Sequence, residues 1–141
     1  MNGLFDISTS ALVAQRIRLN TIASNIANVN TTRDAAGRVN PYRRRIALMA
    51  PGMRDGRGRL RDEGVHVAAV VEDKSPLHWI YDPGHPDAAV DGPHKGYRPI
   101  PNVDMTVEMV NAIEATRAYE ANITAIEATK AMLGATLRII A

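Results

Sequence analysis

The chain has 141 residues, of which 45% are hydrophobic and only 4% aromatic, and its formal net charge is +2. This length predicts one domain, or a small domain with extensions, and the mainly aliphatic hydrophobic content favours long helices with closely packed seams. The small net charge argues against a polycation that binds nucleic acid or an anionic membrane. The absence of cysteine excludes disulfides, thiol nucleophiles and cysteine-based metal sites.

The beginning of the chain, MNGLFDISTSALVA, has no basic leader. No apolar run approaches the roughly 20 residues that a membrane-spanning helix requires. We therefore expect neither a cleaved signal peptide nor a direct membrane span.

The first predicted element is an N-terminal helix with a heptad seam that ends near Val29. The seam positions alternate steps of three and four residues: Phe5, Ser8, Leu12, Gln15, Leu19, Ile22, Ile26 and Val29. Asn28 and Asn30 are predicted to end this helix, because their side chains bond nearby backbone and tolerate left-handed conformations. Asn25 lies beside the seam, where a polar group selects register or partner at some expense of stability.

The middle of the chain has strand-like content at residues 42–49 and 65–71, and a third short strand is predicted at residues 77–81. We expect a flexible loop around Gly52, Gly56 and Gly58 between the first two strands. The four residues Asp82, Pro83, Gly84 and His85 predict a type II turn. A Pro/Gly-rich arm follows as far as Pro101.

The last predicted element is a C-terminal helix from about Asp104 to Ile140, on the order of 50 Å long. Its heptad seam comprises Met109, Ala112, Thr116, Tyr119, Ile123, Ile126, Lys130, Leu133, Leu137 and Ile140. All eight prolines lie between Pro41 and Pro101, which leaves both ends free to form helices. The expected fold is mainly α, with a small β-containing insert. Its long terminal helices would pair as a coiled-coil-like core around an extended Pro/Gly-rich middle.

This pattern divides the chain into an N-terminal core helix at residues 1–32, an insert at residues 33–101 and a C-terminal core helix at residues 102–141. The long apolar seam exceeds what the insert could cover. We therefore expect the isolated monomer to have largely disordered ends, which fold when neighbouring molecules bury them.

An arginine-rich segment occupies residues 33–61, with nine arginines and only two acidic residues. Arg43, Arg44 and Arg45 are consecutive, so on a strand they would point to alternate faces, which does not make one phosphate-tracking stripe. Tyr42 is the only aromatic residue there that could stack on a base. The segment therefore favours an electrostatic contact with an acidic neighbour over nucleic-acid binding.

The residues capable of catalysis or metal binding form no recognisable motif. His78, His85 and His94 lie near Asp82, Asp87 and Asp91, a set chemically suited to a divalent metal but without a known ligand spacing. The glutamates of the C-terminal helix, Glu108, Glu114, Glu120 and Glu127, are expected on a solvated or intersubunit face. We expect no cofactor, no metal site and no enzymatic activity.

Three stretches resemble a known family. The N-terminal ISTSALVAQRIRLNTIASNIANVNTT is similar to the opening signature of the bacterial flagellar rod and hook family of axial proteins. Two later stretches, GVHVAAVVEDKSPLHWIYDPGHPDA and GYRPIPNVDMTVEMVNAIEATRAYEANITAIEATKAM, resemble the proximal-rod members of that family. The resemblance covers nearly the whole chain and is loosest at residues 33–61.

The resemblance implies a structural subunit whose paired terminal helices pack with many copies into a helical tube that transmits torque and encloses the export channel. It implies export by the flagellar type III pathway without a cleaved signal, and a place in the periplasmic rod of the basal body. The implied partners are further copies, other rod proteins, and components of the membrane ring and export apparatus. The arm that includes Asp82, Pro83, Gly84, His85 and Pro86 would lie between subunits.

Two hypotheses from other classes remain open at this point. A nucleic-acid-binding coiled-coil protein would use the arginine-rich segment and would bind more weakly as salt rises. A metal-dependent enzyme would use the histidine–aspartate arm and would bind a divalent ion stoichiometrically.

Overall fold

The structure is a computed structural model that describes residues 2–54 and 60–140, with side chains in helices and strands described within residues 5–52 and 64–138. Its elements, in chain order, are α1 (Asn2–Ala27), β1 (Arg45–Arg54), β2 (Leu60–Glu72), β3 (His78–Tyr81), β4 (Tyr97–Ile100) and α2 (Met105–Ile140). Two long terminal helices with small antiparallel sheets between them confirm the coarse fold class. Neither helix in this described part of the chain is long and apolar enough to cross a membrane.

Helix α1 ends where the sequence predicts, at the first asparagine of the Asn28–Asn30 pair. The Asn28 side-chain nitrogen donates to the Ser24 carbonyl at 2.8 Å, and the Thr31 hydroxyl donates to Asn28 Oδ1 at 3.1 Å. No non-glycine residue among those described has a positive φ. Asn28 therefore ends the helix through its hydrogen bonds to nearby groups, without a left-handed backbone.

The two helices pack against each other in antiparallel orientation. Asn25 near the end of α1 contacts Glu108 near the start of α2, and Arg18 pairs with Glu114 at 2.9 Å. The predicted seam of α1 is at least half-buried at every position, and Ile22 is buried. The neighbouring positions Ala14, Thr21 and Asn25 are also buried, so the covered face of α1 includes the predicted seam and the stripe beside it.

The predicted seam of α2 is correct at only part of its length. The half-buried or buried positions with heptad spacing are Glu108, Ala112, Ala115, Tyr119, Asn122, Ile126, Thr129 and Leu133. Met109, Thr116, Ile123 and Lys130 are exposed, so the predicted stripe is displaced by one residue at these positions. The helix is rotated because Glu108, and not Met109, is held in the interior by hydrogen bonds. Leu137 is also exposed, and the side chain of Ile140 lies outside the described residues.

Strands β1 and β2 form an antiparallel hairpin that runs alongside α1. Asn25 of α1 bonds the backbone of Arg45 at the start of β1. Fifteen residues earlier, Ser10 Oγ accepts from the Val65 amide of β2 at 3.1 Å. The hairpin therefore extends from the C-terminal end of α1 back toward its N-terminal end.

The hairpin strands are longer than predicted. Gly52 lies within β1, buried and with a φ of 88°, where the predicted loop should have begun. The register is irregular there, and Gly64 of β2 has a φ of 84° on the opposite strand. A β-bulge with glycines at positive φ lets both strands continue through this point. Gly56 and Gly58 lie outside the described residues.

The predicted third strand is confirmed as β3, and the arm folds back on it because β4, which the sequence did not predict, pairs with β3. The register places Trp79 opposite Pro99 and Tyr81 opposite Tyr97. The turn at Asp82 is closed by the His85 amide bonding the Asp82 carbonyl at 3.2 Å. Gly84 does not have a positive φ, so the predicted type II turn is wrong.

The best-buried residues of the helices gather at one end of the molecule. They are Ala14, Thr21, Ile22 and Asn25 of α1, with Glu108 and Ala115 of α2. No side chain described in α2 beyond Ala115 is buried. Helix α2 is thus anchored at its start and becomes more exposed beyond Ala115, whereas α1 keeps a half-buried face along its described side chains.

We predict that hydrogen exchange in the dilute purified protein follows this gradient. Amides of residues 18–27 and 108–118 should exchange at least about tenfold more slowly than those of residues 122–138, because local opening is easiest where few side chains are buried. Mass spectrometry of peptides from both parts of α2 makes this comparison within one helix. Equal protection along all of α2 would show that the distal end is stable without a partner.

Candidate functional site

A cluster of hydrogen-bonded side chains joins the helices to the insert at the anchored end. We call it the polar clamp; its members are Asn25, Tyr42, Arg44, Asn102 and Glu108. Asn25 is 1% exposed. Its Oδ1 accepts from the Arg45 amide at 2.9 Å and from the Tyr42 hydroxyl at 3.0 Å. Its Nδ2 donates to the Arg45 carbonyl at 2.9 Å.

The remaining donor of the Asn25 amide reaches across to α2. Nδ2 also donates to Glu108 Oε2 at 3.0 Å, and Glu108 is 1% exposed. The other carboxylate oxygen accepts from Arg44 Nε at 2.7 Å. The expectation of Glu108 on a solvated face is therefore wrong. A buried carboxylate is tolerated because a guanidinium and an amide both donate to it.

Asn102 closes the clamp just before α2 begins. Its Oδ1 accepts from the Arg44 amide at 2.9 Å, and its Nδ2 lies 3.3 Å from the Asp73 carbonyl, which follows β2. Arg44 also lies 3.7 Å from the Asp73 carboxylate. The clamp thereby fixes the end of α1, the start of β1, the end of β2 and the start of α2 to one another.

The three consecutive arginines have different surroundings. Arg44 makes its ion pairs inside the chain, so its predicted role as a contact to a neighbouring molecule is replaced by a role in the clamp. Arg45 is exposed, 3.9 Å from Glu72 and 5.6 Å from the centroid of the Tyr42 ring. Arg43 lies 3.3 Å from the Ser75 carbonyl. Only Arg43 and Arg45 stay available for an external acidic surface.

A second polar cluster fixes the arm to the loop after α1. Asp87 is 6% exposed and accepts from Arg33 Nε at 2.7 Å and from the Thr32 hydroxyl at 2.8 Å. These hydrogen bonds, that of Arg33 above all, hold the pKa of Asp87 below its ordinary value. His85 Nδ1 accepts from the Asp87 amide at 3.1 Å. The cluster holds the Asp82–Pro86 turn in place while Pro83, Gly84 and Pro86 stay exposed.

The histidines of the arm do not converge on a metal site. His94 stacks on Trp79 with ring centroids 4.1 Å apart, whereas His85 packs beside Asp87. Within residues 2–54 and 60–140, no three histidine or acidic side chains are grouped so that they could hold a metal ion. The geometry therefore gives no support to the metal-dependent hypothesis.

The outward face of the first turns of α2 carries exposed apolar side chains. We call these residues the outer patch; they are Met105, Val107, Met109, Val110 and Ile113, between 41% and 61% exposed. Met109, Val110 and Ile113 lie on the side of α2 that faces away from the clamp residue Glu108, and Met105 and Val107 flank that residue. A cluster of large apolar side chains on the surface is typical of a protein–protein contact.

Four functional residues were given a different role from the sequence or none. Glu108, Tyr42, Asn102 and Asp87 are held by partners 17 to 83 residues away. No local pattern marks Glu108 for burial, because its partners Asn25 and Arg44 are 83 and 64 residues away. Asn25 was singled out correctly as a polar residue at the seam.

We predict that Asn25→Ala destabilises the protein by about 1–3 kcal/mol, because the Arg45 backbone groups and Glu108 lose a buried hydrogen-bond partner. Asn20→Ala, on the exposed side of the same helix, is the matched control and should change the free energy of unfolding by less than about 0.5 kcal/mol. Urea denaturation followed by circular dichroism measures both. Equal effects of the two changes would contradict the clamp.

We also predict a pH dependence from Asp87. Its pKa is lower in the folded chain than in the unfolded one, so its ionised form favours folding above about pH 4, and this contribution is lost as pH falls below that value. Asp87→Asn should therefore make the loss of stability between pH 5 and about pH 2 shallower. Asp91→Asn, on the exposed surface of the same arm, is the control, and an unchanged slope in the Asp87 variant would contradict the assignment.

Comparison with known proteins gives consistent results at both ends of the chain. Residues 5–33 match the family model for flagella basal body rod protein, and residues 95–139 match the model for the C-terminal part of the flagellar basal body rod FlgEFG proteins. These ranges contain most of α1 and nearly all of α2.

Full-length relatives are named flagellar basal-body rod protein FlgC. The relative from Borreliella burgdorferi is 42% identical, covering 98% of both chains. That from Bacillus subtilis is 42% identical over 95% of this chain and 94% of its own. That from Salmonella typhimurium is 40% identical over 96% and 95%. The chain therefore belongs to the FlgC family of flagellar basal-body rod proteins and is a structural, non-enzymatic subunit of the rod in the basal body.

Proposed function

We propose that the chain polymerises through its terminal helices into the helical axial tube of the proximal rod, which transmits torque and encloses the export channel. In this proposal, residues 1–32 and 102–141 form a coiled-coil-like core, and residues 33–101 form the insert. The heptad spacing of the buried positions on both helices supports the pairing.

The outer patch is the observation that carries the proposal. Val110 is 61% exposed on a helix whose other face is already packed against α1, so its burial requires another molecule. The accessible surface of the chain is 9676 Å², whereas a compact 15.3 kDa monomer is expected to have about 7,100 Å². A subunit with more exposed surface than a compact monomer, and with exposed apolar side chains on α2, is suited to burying surface between neighbours.

Two polar surfaces, the Asp82–Pro86 turn and the arginines Arg43 and Arg45, are proposed to contact neighbouring subunits. The exposed Asp82–Pro86 turn would lie between adjacent subunits, since the Asp87 cluster holds it rigid at the surface. Arg43 and Arg45 would meet acidic groups of those subunits. The proposed partners are further copies, other rod proteins, and components of the membrane ring and export apparatus. We propose a place in the periplasmic rod, after export by the flagellar type III pathway without a cleaved signal.

Replacing one outer-patch residue tests the proposal. We predict that Val110→Asp abolishes recovery of the chain in isolated basal bodies and stops swimming, because the carboxylate would be buried without a partner at the contact. The stability of the monomer should change by less than about 0.5 kcal/mol, since Val110 is exposed.

Val39→Asp is the matched control, because Val39 is an exposed valine on the loop after α1. It should leave both incorporation and swimming intact. Normal incorporation and swimming of the Val110→Asp variant would refute assembly through this face of α2.

A further inference from the structure

Strands β3 and β4, with the segment between them, form a lobe that packs on no other helix or strand. We call residues 78–100 the arm lobe. Within the described residues, no Cα of β3 or β4 comes within 8 Å of either helix or of the β1–β2 hairpin. The position of the arm lobe is therefore set by its two ends and by individual side chains.

Contacts inside the arm lobe hold it together as one body. The ring of Trp79 stacks on His94 with centroids 4.1 Å apart, and Tyr81 meets Tyr97 edge to face at 5.1 Å. The Ala89 amide donates to the Tyr97 carbonyl at 3.0 Å, which fastens the connecting segment to β4. A lone two-stranded hairpin is marginally stable in water, so these contacts supply the support that other elements do not.

One side chain ties the arm lobe to the loop after α1. In the part of the chain that the structure describes, Asp87 is the only residue of 78–100 with a hydrogen bond or ion pair to a residue outside that range. Its carboxylate accepts from the Thr32 hydroxyl at 2.8 Å and from Arg33 Nε at 2.7 Å. The Asp87 side chain is 3% exposed. We call Thr32, Arg33 and Asp87 the latch.

The loop that carries Arg33 is itself closed by hydrogen bonds. Arg33 forms a backbone bridge with Val39, and its Nη1 donates to the Gly37 carbonyl at 3.2 Å. Asp34 Oδ1 accepts from the Arg38 amide at 2.9 Å across the same loop. The guanidinium is therefore held in place to receive the carboxylate of Asp87.

The far end of the arm lobe is fastened to the clamp. Asn102 Nδ2 lies 3.3 Å from the Asp73 carbonyl and 3.4 Å from the Ser75 carbonyl, so it joins the two segments that lead into and out of the lobe. Asn102 and Pro101 are both buried. The lobe is thus attached at two points, its base at Asn102 and its tip at the latch.

The latch can open at little expense in other contacts. Burial of the Asp87 carboxylate costs hydration, which offsets much of its attraction to Arg33, and both groups regain water when they separate. Strands β3 and β4 lose no packing on the helices, because they have none. An open state that differs from the closed one by so few contacts is accessible to the folded chain.

We infer that the arm lobe is a hinged body, which the latch holds against the loop after α1 and which swings about its base at Asn102 when the latch opens. The Asp82–Pro86 turn ends one residue before Asp87 and moves with the lobe. The inference goes beyond the proposed function and does not depend on it, since it concerns the single chain.

Spin labels on two engineered cysteines test the hinge, because the natural chain has no cysteine. Val90→Cys labels the arm lobe at a residue that is 78% exposed, and Asn20→Cys labels the exposed side of α1. Pulsed electron paramagnetic resonance on the full chain should give one narrow distance distribution while the latch is intact. Adding Asp87→Ala should widen that distribution at least about twofold, because the tip loses its hydrogen bonds to the rest of the chain.

Asp91→Ala is the matched control, since Asp91 is an exposed aspartate of the same lobe outside the latch. It should leave the distribution unchanged. Arg33→Gln removes the latch from the other side and should widen the distribution as Asp87→Ala does, so the test does not depend on one variant. Urea denaturation followed by circular dichroism checks that each labelled variant is folded.

Hydrogen exchange separates a swinging lobe from a lobe that unfolds. The amides of Ala89 and Gly96 are bonded within the lobe, so they should keep their exchange rates in the Asp87→Ala variant. Exchange at least about tenfold faster at these amides would overturn the hinge, because the lobe would then be opening internally. An unchanged distance distribution in both latch variants would also overturn it, as would a wide distribution in the labelled chain with the latch intact.

Discussion

The structure depends on the side-chain amide of Asn25, which supplies hydrogen-bond partners to the backbone of Arg45 at the start of β1. Asn25 both donates to and accepts from the backbone of Arg45, as a neighbouring strand would, and its second amide hydrogen binds the carboxylate of Glu108. An unpaired strand edge leaves backbone groups that must find partners. Because Asn25 supplies both partners for the Arg45 backbone, the end of α1 can lie directly against the start of β1.

The same interaction sets the rotation of α2. Asn25 and Arg44 hold Glu108 in the interior. The residue that follows Glu108, and those at steps of seven from it, therefore face outward: Met109, Thr116, Ile123 and Lys130. With this rotation Ala115, which is not on the predicted seam, is fully buried. The same rotation exposes Met109 and Ile123, which a helix packed by its most apolar stripe would have buried. The apolar surface available to neighbours is thus a consequence of a polar contact.

The clamp places the buried polar contacts between the helices where α1 ends and α2 begins. Membership of a family of rod subunits is consistent with a chain whose other surfaces are exposed. A monomeric protein with few buried apolar side chains and long exposed helices would be marginal alone. The rod family implies assembly with other rod components, and exposed apolar side chains are compatible with such a role. The asymmetry between an anchored end and an exposed end also gives the subunit a direction, which an open helical polymer requires.

The sequence by itself determined the two terminal helices, the end of α1 at Asn28 and the presence of strands between them, because these follow from local periodicity, proline positions and side-chain capping. The resemblance of its motifs also led to the correct family. The tertiary structure decided the rotation of α2, the pairing of β4 with β3, and the partners of Arg44 and Asp87. Each of these rests on contacts between residues far apart in the chain, and no local pattern distinguishes a glutamate that will meet Asn25 from one that will meet water.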